Sequence, residues 1–320
     1  MLLCIDTGNT QTVIGLFDGT RLADHWRIAT IAERTADEMA LMIQQFLGFH
    51  GFTPMMVSTA SGADAGVDAA EAPDASSMVS TASGASAGVE SAEPPDASSM
   101  VSTASGASAG VESAEPLDPS ETQIDGVAIS SGVPRVTVEL RAMTERYFGF
   151  DALVLEPGVR TGMPILYDNP KEVGPDRIAN AVAAYDQYGG PSIVVDFGTA
   201  NTIEAISENG EYLGGAIFPG IEISMDALFA RAAALRRVEL IAPRNVIGKS
   251  TVESIQAGTV YGFSGQIDAL VDRFQKELGQ CTVIATGGLA EPIIKHSRTI
   301  QHYEPWLTLQ GLRIIFERNR

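Results

Sequence analysis

The chain has 320 residues, of which 45% are apolar, and its 21 Lys and Arg stand against 40 Asp and Glu for a formal charge of −19. That length suits two domains with separate cores, and the lack of a basic stripe argues against a nucleic-acid partner. No apolar run approaches the roughly 18 residues of a membrane span, and the first strand carries an acid at Asp6 where a leader would be charged and then long and apolar, so a cytoplasmic protein is expected. The two cysteines, Cys4 and Cys281, sit in apolar, strand-like runs and are expected as buried thiols, not as a disulfide or metal knuckle.

In chain order, "CIDTGNTQTVIGLFDG" (4–19) reads as a strand that breaks at Asp6, Thr7, Gly8, Asn9 and Thr10 and returns through Gln11, Thr12 and Val13 as a second strand. Thr35 and Glu38 form a capping box, and Met39, Met42, Ile43, Phe46 and Leu47 then fall on one helical face. "GVAIS" (126–130) and "ALVLE" (152–156) read as strands, "RIANAVAAYDQYG" (177–189) as a helix, and "SIVVDFG" (192–198) and "TVIATGGLA" (282–290) as strands, the last entering a glycine turn. Alternation of this kind predicts α/β layers.

Between the first helix and "GVAIS" lie three copies of a 22-residue repeat, starting at Met56, Met78 and Met100. Residues 56–121 hold 11 of the acids and no Lys or Arg, so most of the net charge is local. Each copy offers one Met and two Val as sizeable apolar groups, too few for a stacked core, and a disordered insertion is expected. Lengthening a loop tenfold adds about 2 kcal/mol of closure entropy, which a stable domain tolerates.

"IVVDFGTANTIEAI" (193–206) repeats the grammar of the first hairpin: apolar run, Asp196, Gly198, Thr199, Asn201, Thr202, apolar run. Two Asp-tipped hairpins predict two related α/β domains facing across a cleft, residues 1–190 and 191–320, with the boundary near Gly189–Pro191. Glycine lets backbone N–H groups approach a phosphate, and short Ser, Thr and Asn side chains donate to it. An acid beside phosphate is repulsive unless a cation lies between, so Asp6 and Asp196 point to a nucleoside triphosphate with metal ions. Either turn alone is equally well a tight β-hairpin, for which Asp, Gly and Asn are ordinary formers. The mirrored pair favours the nucleotide.

In "YDNPKEVGPDRIANA", from Tyr167, Gly174 and Pro175 make a turn and Asp176 begins a helix. Asp176 there is either a helix cap or a general base kept ionised by the helix dipole, and Arg177 is placed to clamp a carboxylate. Spacing leaves both open.

These segments, with "DTGNTQTV", "YDNPKEVGPDR", "DFGTANT", "GGAIFPGI", "GKSTVESIQAG", "TGGLA" and "PWLTLQGL", together resemble the type III pantothenate kinases of the acetate and sugar kinase, heat-shock ATPase and actin superfamily. The resemblance covers nearly the whole chain outside 56–121. It implies two actin-like, ribonuclease H-like domains and transfer of the terminal phosphoryl of ATP to the primary hydroxyl of pantothenate, the first step of coenzyme A synthesis. It also implies a homodimer needing Mg²⁺ and a monovalent cation, K⁺ or NH₄⁺. By position, the family pattern assigns Asp6 to Val13 and Thr199 to ATP, with Asp6 toward Mg²⁺. It assigns Tyr167, Gly174, Pro175, Asp176, Arg177 and Thr251 to pantothenate, Asp176 as the base, and Asp196 to the monovalent cation. The chain departs from the family where Asn201 replaces the usual Thr, Glu204 the usual Asp and Gly132 an apolar residue. The competing expectations are a non-catalytic relative that kept the ATP cleft, and a kinase of another small hydroxy acid. Retention of Tyr167, Asp176 and Arg177 weighs against the first.

Overall fold

The computed structural model describes residues 1–49, 123–232 and 234–320; the repeat expected at 56–121 lies outside the described residues. Strands β1 (Leu2–Thr7), β2 (Gln11–Asp18) and β3 (Arg21–Ala29) form an antiparallel meander, followed by α1 (Ala36–Gly48). After the repeat come β4 (Gly126–Ser131), α2 (Pro134–Phe148), β5 (Leu153–Val154), a 3₁₀ turn at Pro170–Glu172 and α3 (Pro175–Tyr188). A second meander, β6 (Ser192–Phe197), β7 (Ala200–Ile206) and β8 (Tyr212–Pro219), leads to α4 (Ile221–Arg231) and α5 (Thr251–Leu278). The chain ends with β9 (Thr282–Thr286), α6 (Glu291–Ile294), β10 (His302–Tyr303) and α7 (Leu307–Glu317).

The two sheets are built alike. The first runs β3-β2-β1-β4-β5 and the second, read in the same sense, β8-β7-β6-β9-β10. In each, the first two strands pair antiparallel and the first strand pairs parallel with the fourth and, through it, the fifth. This duplicated order matches the two related α/β layers expected from the mirrored Asp turns, and it is the actin-like architecture that the family resemblance implied.

Strand period assigns the faces. Leu2 and Cys4 of β1 and Val194 of β6 point toward α3 and α7, and join Ala179, Val182, Ala183, Leu307, Leu312 and Ile315 in one core. Ile193, Val195 and Phe197 point the other way, against Val260, Phe263 and Ile267 of α5. On the far side of the first sheet, Ile5 and Ile14 meet Met39 and Ile43 of α1 and Val136 and Leu140 of α2. α3 and α7 therefore pack between the sheets, and α7, last in sequence, returns to β1 and β4. The expected boundary at Gly189–Pro191 falls between α3 and β6.

Local signals account for the helix starts. Thr35 and Glu38 make the capping box in full: the Thr35 hydroxyl accepts from the Glu38 N–H, and the Glu38 carboxylate accepts from the Thr35 N–H at 2.8 Å. α3 begins with Pro175 at its first position and Asp176 in its first turn. "ALVLE" forms only the two-residue β5, a parallel edge strand that pairs with β4 at Leu153 and Val154. Both cysteines are buried free thiols. Among the described residues no helix is long and apolar enough to cross a membrane.

Candidate active site

The hairpin tips meet. Thr10 Oγ1 of the β1–β2 turn lies 2.9 Å from Thr199 Oγ1 of the β6–β7 turn, 189 positions away in sequence. Beside them a cavity of about 290 Å³ opens at the carboxyl ends of β1, β6 and β9, where α/β sheets gather ligands. The first sheet lines it with Asp6, Gly8, Asn9, Thr10, Gln11 and Val13. The second lines it with Asp196, Gly198, Thr199, Thr202 and the turn Thr286–Leu289, and Asp176 enters from the start of α3.

Thr7 and Thr12 are placed otherwise. They are partners in the hairpin register, one step beyond Asp6 and Val13, so the alternation of the strand turns their side chains to the opposite face. There both are buried, and Thr12 Oγ1 bonds Thr30 Oγ1 at 2.8 Å. Their backbone, not their hydroxyls, is what a nucleotide in this cavity would meet.

Four carboxylates line the cavity, Asp6, Asp176, Asp196 and Glu222, and the three aspartates are each harder to ionise than usual. Burial, and then the charge of Asp176, pushes Asp6 up to about 8, against the Ser130 hydroxyl and Arg27. Burial and the charges of Asp176 and Glu204 push Asp196 up to about 7, against a 2.9 Å hydrogen bond from Asn180 Nδ2. Asp176 is open to the cavity, but protein crowds water from its other sides and raises it too. Glu204 adds to that rise, and the Arg177 N–H, 2.9 Å from Asp176 Oδ1, opposes it. A cation would lift this frustration, and carboxylate and hydroxyl oxygens are the donors that Mg²⁺ and K⁺ prefer. Among the described residues no three acid, His or Cys side chains converge closely enough to cage a metal alone. An ion here would complete its shell with the phosphate oxygens of a nucleotide.

Arg27 of β3 escaped the sequence reading. Among the described residues it is the one Lys or Arg lining the cavity. Its Nη1 donates to Gln11 Oε1 at 3.0 Å, its guanidinium stands 5.8 Å over the Trp306 ring, and it occupies the space a side chain at Gly288 would need. The signal is the register: Arg27 pairs with Val13, which faces the cavity.

Of the residues expected at the acceptor, Tyr167, Gly174 and Arg177 form a second group beside Asp176, and Thr251 lies apart. Gly174 caps α3, and any side chain there would run into Asp176 Oδ1. Tyr167 lies over the backbone of Gly214, with its ring 6.3 Å from that of Tyr212. Arg177 is held in a two-pronged ion pair with Glu204 through Nε and Nη2. Thr251 opens α5 on the surface and does not line the cavity. Asn201 is wholly buried, and its side-chain amide has no partner among the described residues.

A doubled sheet whose hairpin tips meet beside a carboxylate-lined cavity is the arrangement on which the sequence pattern based its expectation of nucleotide binding. The sequence profile of the type III pantothenate kinase family matches residues 2–92 and 101–273. Among curated relatives, the type III pantothenate kinase of Streptomyces griseus is 47% identical over 324 aligned positions, which span 100% of this chain and 98% of the relative. Those of Thermobifida fusca and Acidothermus cellulolyticus are 43% and 44% identical, again over 100% of this chain. The chain belongs to the type III pantothenate kinase family.

Proposed function

We propose that the chain phosphorylates the primary hydroxyl of pantothenate with ATP, the opening reaction of coenzyme A synthesis, in the cytoplasm, and that the residues gathered at the cavity perform it. The observation that carries this reading is the convergence of both hairpin tips, the 286–289 turn and Asp176 on one cavity. Backbone N–H groups of Asn9, Thr10 and Thr199 and the hydroxyls of Thr10 and Thr199 hold the polyphosphate, while the Gly8 and Gly198 N–H groups close their own turns on Gln11 O and Ala200 O. Asp176 accepts the proton of the acceptor hydroxyl as its oxygen bonds to the terminal phosphorus and the bond to the ADP oxygen breaks. Tyr167, Gly174, Pro175 and Arg177 place the acceptor behind Asp176. Mg²⁺ beside Asp6 and a monovalent cation beside Asp196 would neutralise the charge of the transferring group. Position and charge neutralisation are most of what phosphoryl transfer asks of a protein.

The homodimer belongs to the same proposal. Exposed apolar side chains concentrate between β8 and the start of α5, at Ile217, Ile223, Leu228, Val246, Ile247 and Val252, and a second copy would cover them. Thr251, expected at the acceptor, lies in this stretch. Sedimentation of the purified chain at twice the monomer mass supports the dimer; a monomer at assay concentrations overturns it.

An assay coupled to ADP release, with ATP, Mg²⁺, K⁺ and a panel of small hydroxy acids, tests the function. Turnover with pantothenate alone is the expected result. Comparable rates with other hydroxy acids would overturn the substrate, and ATP binding without turnover on any acceptor would overturn the activity.

A further inference from the structure

Glu204 and Arg177 are charged residues almost without surface, 0% and 7% exposed. Arg177 Nε donates to Glu204 Oε1 at 2.7 Å and Nη2 to Oε2 at 2.9 Å, and the Tyr212 hydroxyl donates to the same Oε2. The Tyr212 ring lies 5.8 Å from the guanidinium carbon. Gly215 of β8 leaves room for the carboxylate, since a Cβ there would stand 2.8 Å from Oε2. The first turn of α3, the middle of β7 and the start of β8 thus close around one ion pair.

A buried ion pair is a poor device for stability, because desolvation offsets most of the Coulomb gain, and apolar residues of like size usually serve as well. What it provides is a fixed orientation. Arg177 follows Asp176 directly. Glu204 stands two residues beyond Thr202, on the same face of β7, so this face meets the nucleotide cavity and then Arg177. Two of the guanidinium's edges are taken, and Nη1 has no protein partner among the described residues.

We propose that Glu204, steadied by Tyr212, is a positioning residue for the acceptor: it sets the Arg177 guanidinium in one orientation, with Nη1 toward the acceptor beside Asp176. The inference rests on the pantothenate reading above.

Glu204→Gln keeps the shape and removes the charge; Glu204→Asp keeps the charge. Steady-state kinetics of the full chain should show the acceptor KM of Glu204→Gln rising roughly tenfold or more, with the ATP KM within about twofold of wild type. Glu204→Asp should recover most of that loss, and Tyr212→Phe should shift the acceptor KM in the same direction by less. An unchanged acceptor KM, equal rises in both KM values with a lower melting temperature, or an Asp variant no better than Gln would each overturn the proposal. A crystal structure of Glu204→Gln without substrate should show the Arg177 guanidinium displaced; an unmoved guanidinium also overturns it. If wild type fails to phosphorylate pantothenate, the functional reading falls, while that structure still decides the positioning claim.

Discussion

The two Asp-tipped hairpins share a pattern and differ in how they are held. In β6–β7, Asp196 accepts from Asn180 of α3 at 2.9 Å, and Asn180 Oδ1 accepts from Thr308 of α7 at 2.7 Å, so the second acid is tied through two helices. Asp6 of β1–β2 has only its register neighbour, Ser130 on β4, the counterpart of Thr286 beside Asp196 on β9. Its turn, Gly8–Thr10, is also longer than Gly198–Thr199, and its residues are exposed. The second acid is oriented by helix side chains, whereas the first turn is held by its own hairpin, with Gly8 N–H on Gln11 O at 3.0 Å and Thr30 N–H on Thr10 O at 2.9 Å. Both walls present a preset acid to a metal and nucleotide, by different means.

The largest effect is expected where both walls depend on the same residue. Asp176→Asn keeps the shape and loses the proton acceptor, so kcat should fall by about 10²- to 10⁴-fold while ATP binding and melting temperature hold. A rate within a few-fold of wild type would make Asp176 an acid of the first turn of α3 and nothing more.

The acids themselves separate the walls. Asp6→Ala should lower kcat/KM for ATP roughly ten- to a hundredfold, the worth of one hydrogen bond to a charged group, and weaken the Mg²⁺ response. Its melting temperature should not fall, because Asp6 braces nothing. Asp196→Ala should remove activation by K⁺ and also cost about 1 kcal/mol of stability, since Asn180 loses its partner. Equal rates in sodium-only and potassium buffers for wild type would count against the cation assignment, and equal melting shifts for the two variants would erase the contrast between the walls.

What the sequence disclosed follows the same division. The hairpins, the Thr35 capping box and the start of α3 are local patterns of a few residues, and each stands where periodicity and capping rules place it. The Thr10–Thr199 contact, the cavity-facing Arg27, the Glu204 partner of Arg177 and the return of α7 to the first sheet are pairings of distant residues. No spacing along the chain encodes them. Thr7 and Thr12 show the remaining gap: a motif names a run of residues, whereas the strand sends every second side chain to the other face.

Glycine substitutions probe the rigidity of each wall. Gly287 has a φ of +95°, and a Cβ would stand 2.6 Å from Phe197 N and O, so Gly287→Ala should cost about 1–3 kcal/mol and raise the KM for ATP. A Cβ at Gly8 would meet only Gln11 O at 3.4 Å, an ordinary contact, so Gly8→Ala should leave the melting temperature nearly unchanged. Calorimetry on both variants reads the difference; a Gly8 variant as unstable as the Gly287 one would show the first wall to be equally fixed.

The smallest effect on catalysis is expected from removing residues 56–121. The elements on either side have partners of their own: the Ala36 N–H at the start of α1 donates to Glu139 of α2 at 2.8 Å, Arg146 of α2 donates to Asp37 at 2.8 Å, and β4 pairs along its length with β1. The repeat's composition offers too little apolar surface to add to that packing. Shorter closure between α1 and β4 should stabilise the chain by about 2 kcal/mol, with kcat and both KM values unchanged. The comparison is a melting curve and steady-state kinetics of the deletion beside the full chain. A lower melting temperature or a marked loss of turnover would mean that the acidic repeat contributes to the enzyme itself, and the first wall would then owe part of its behaviour to a segment its own contacts do not require.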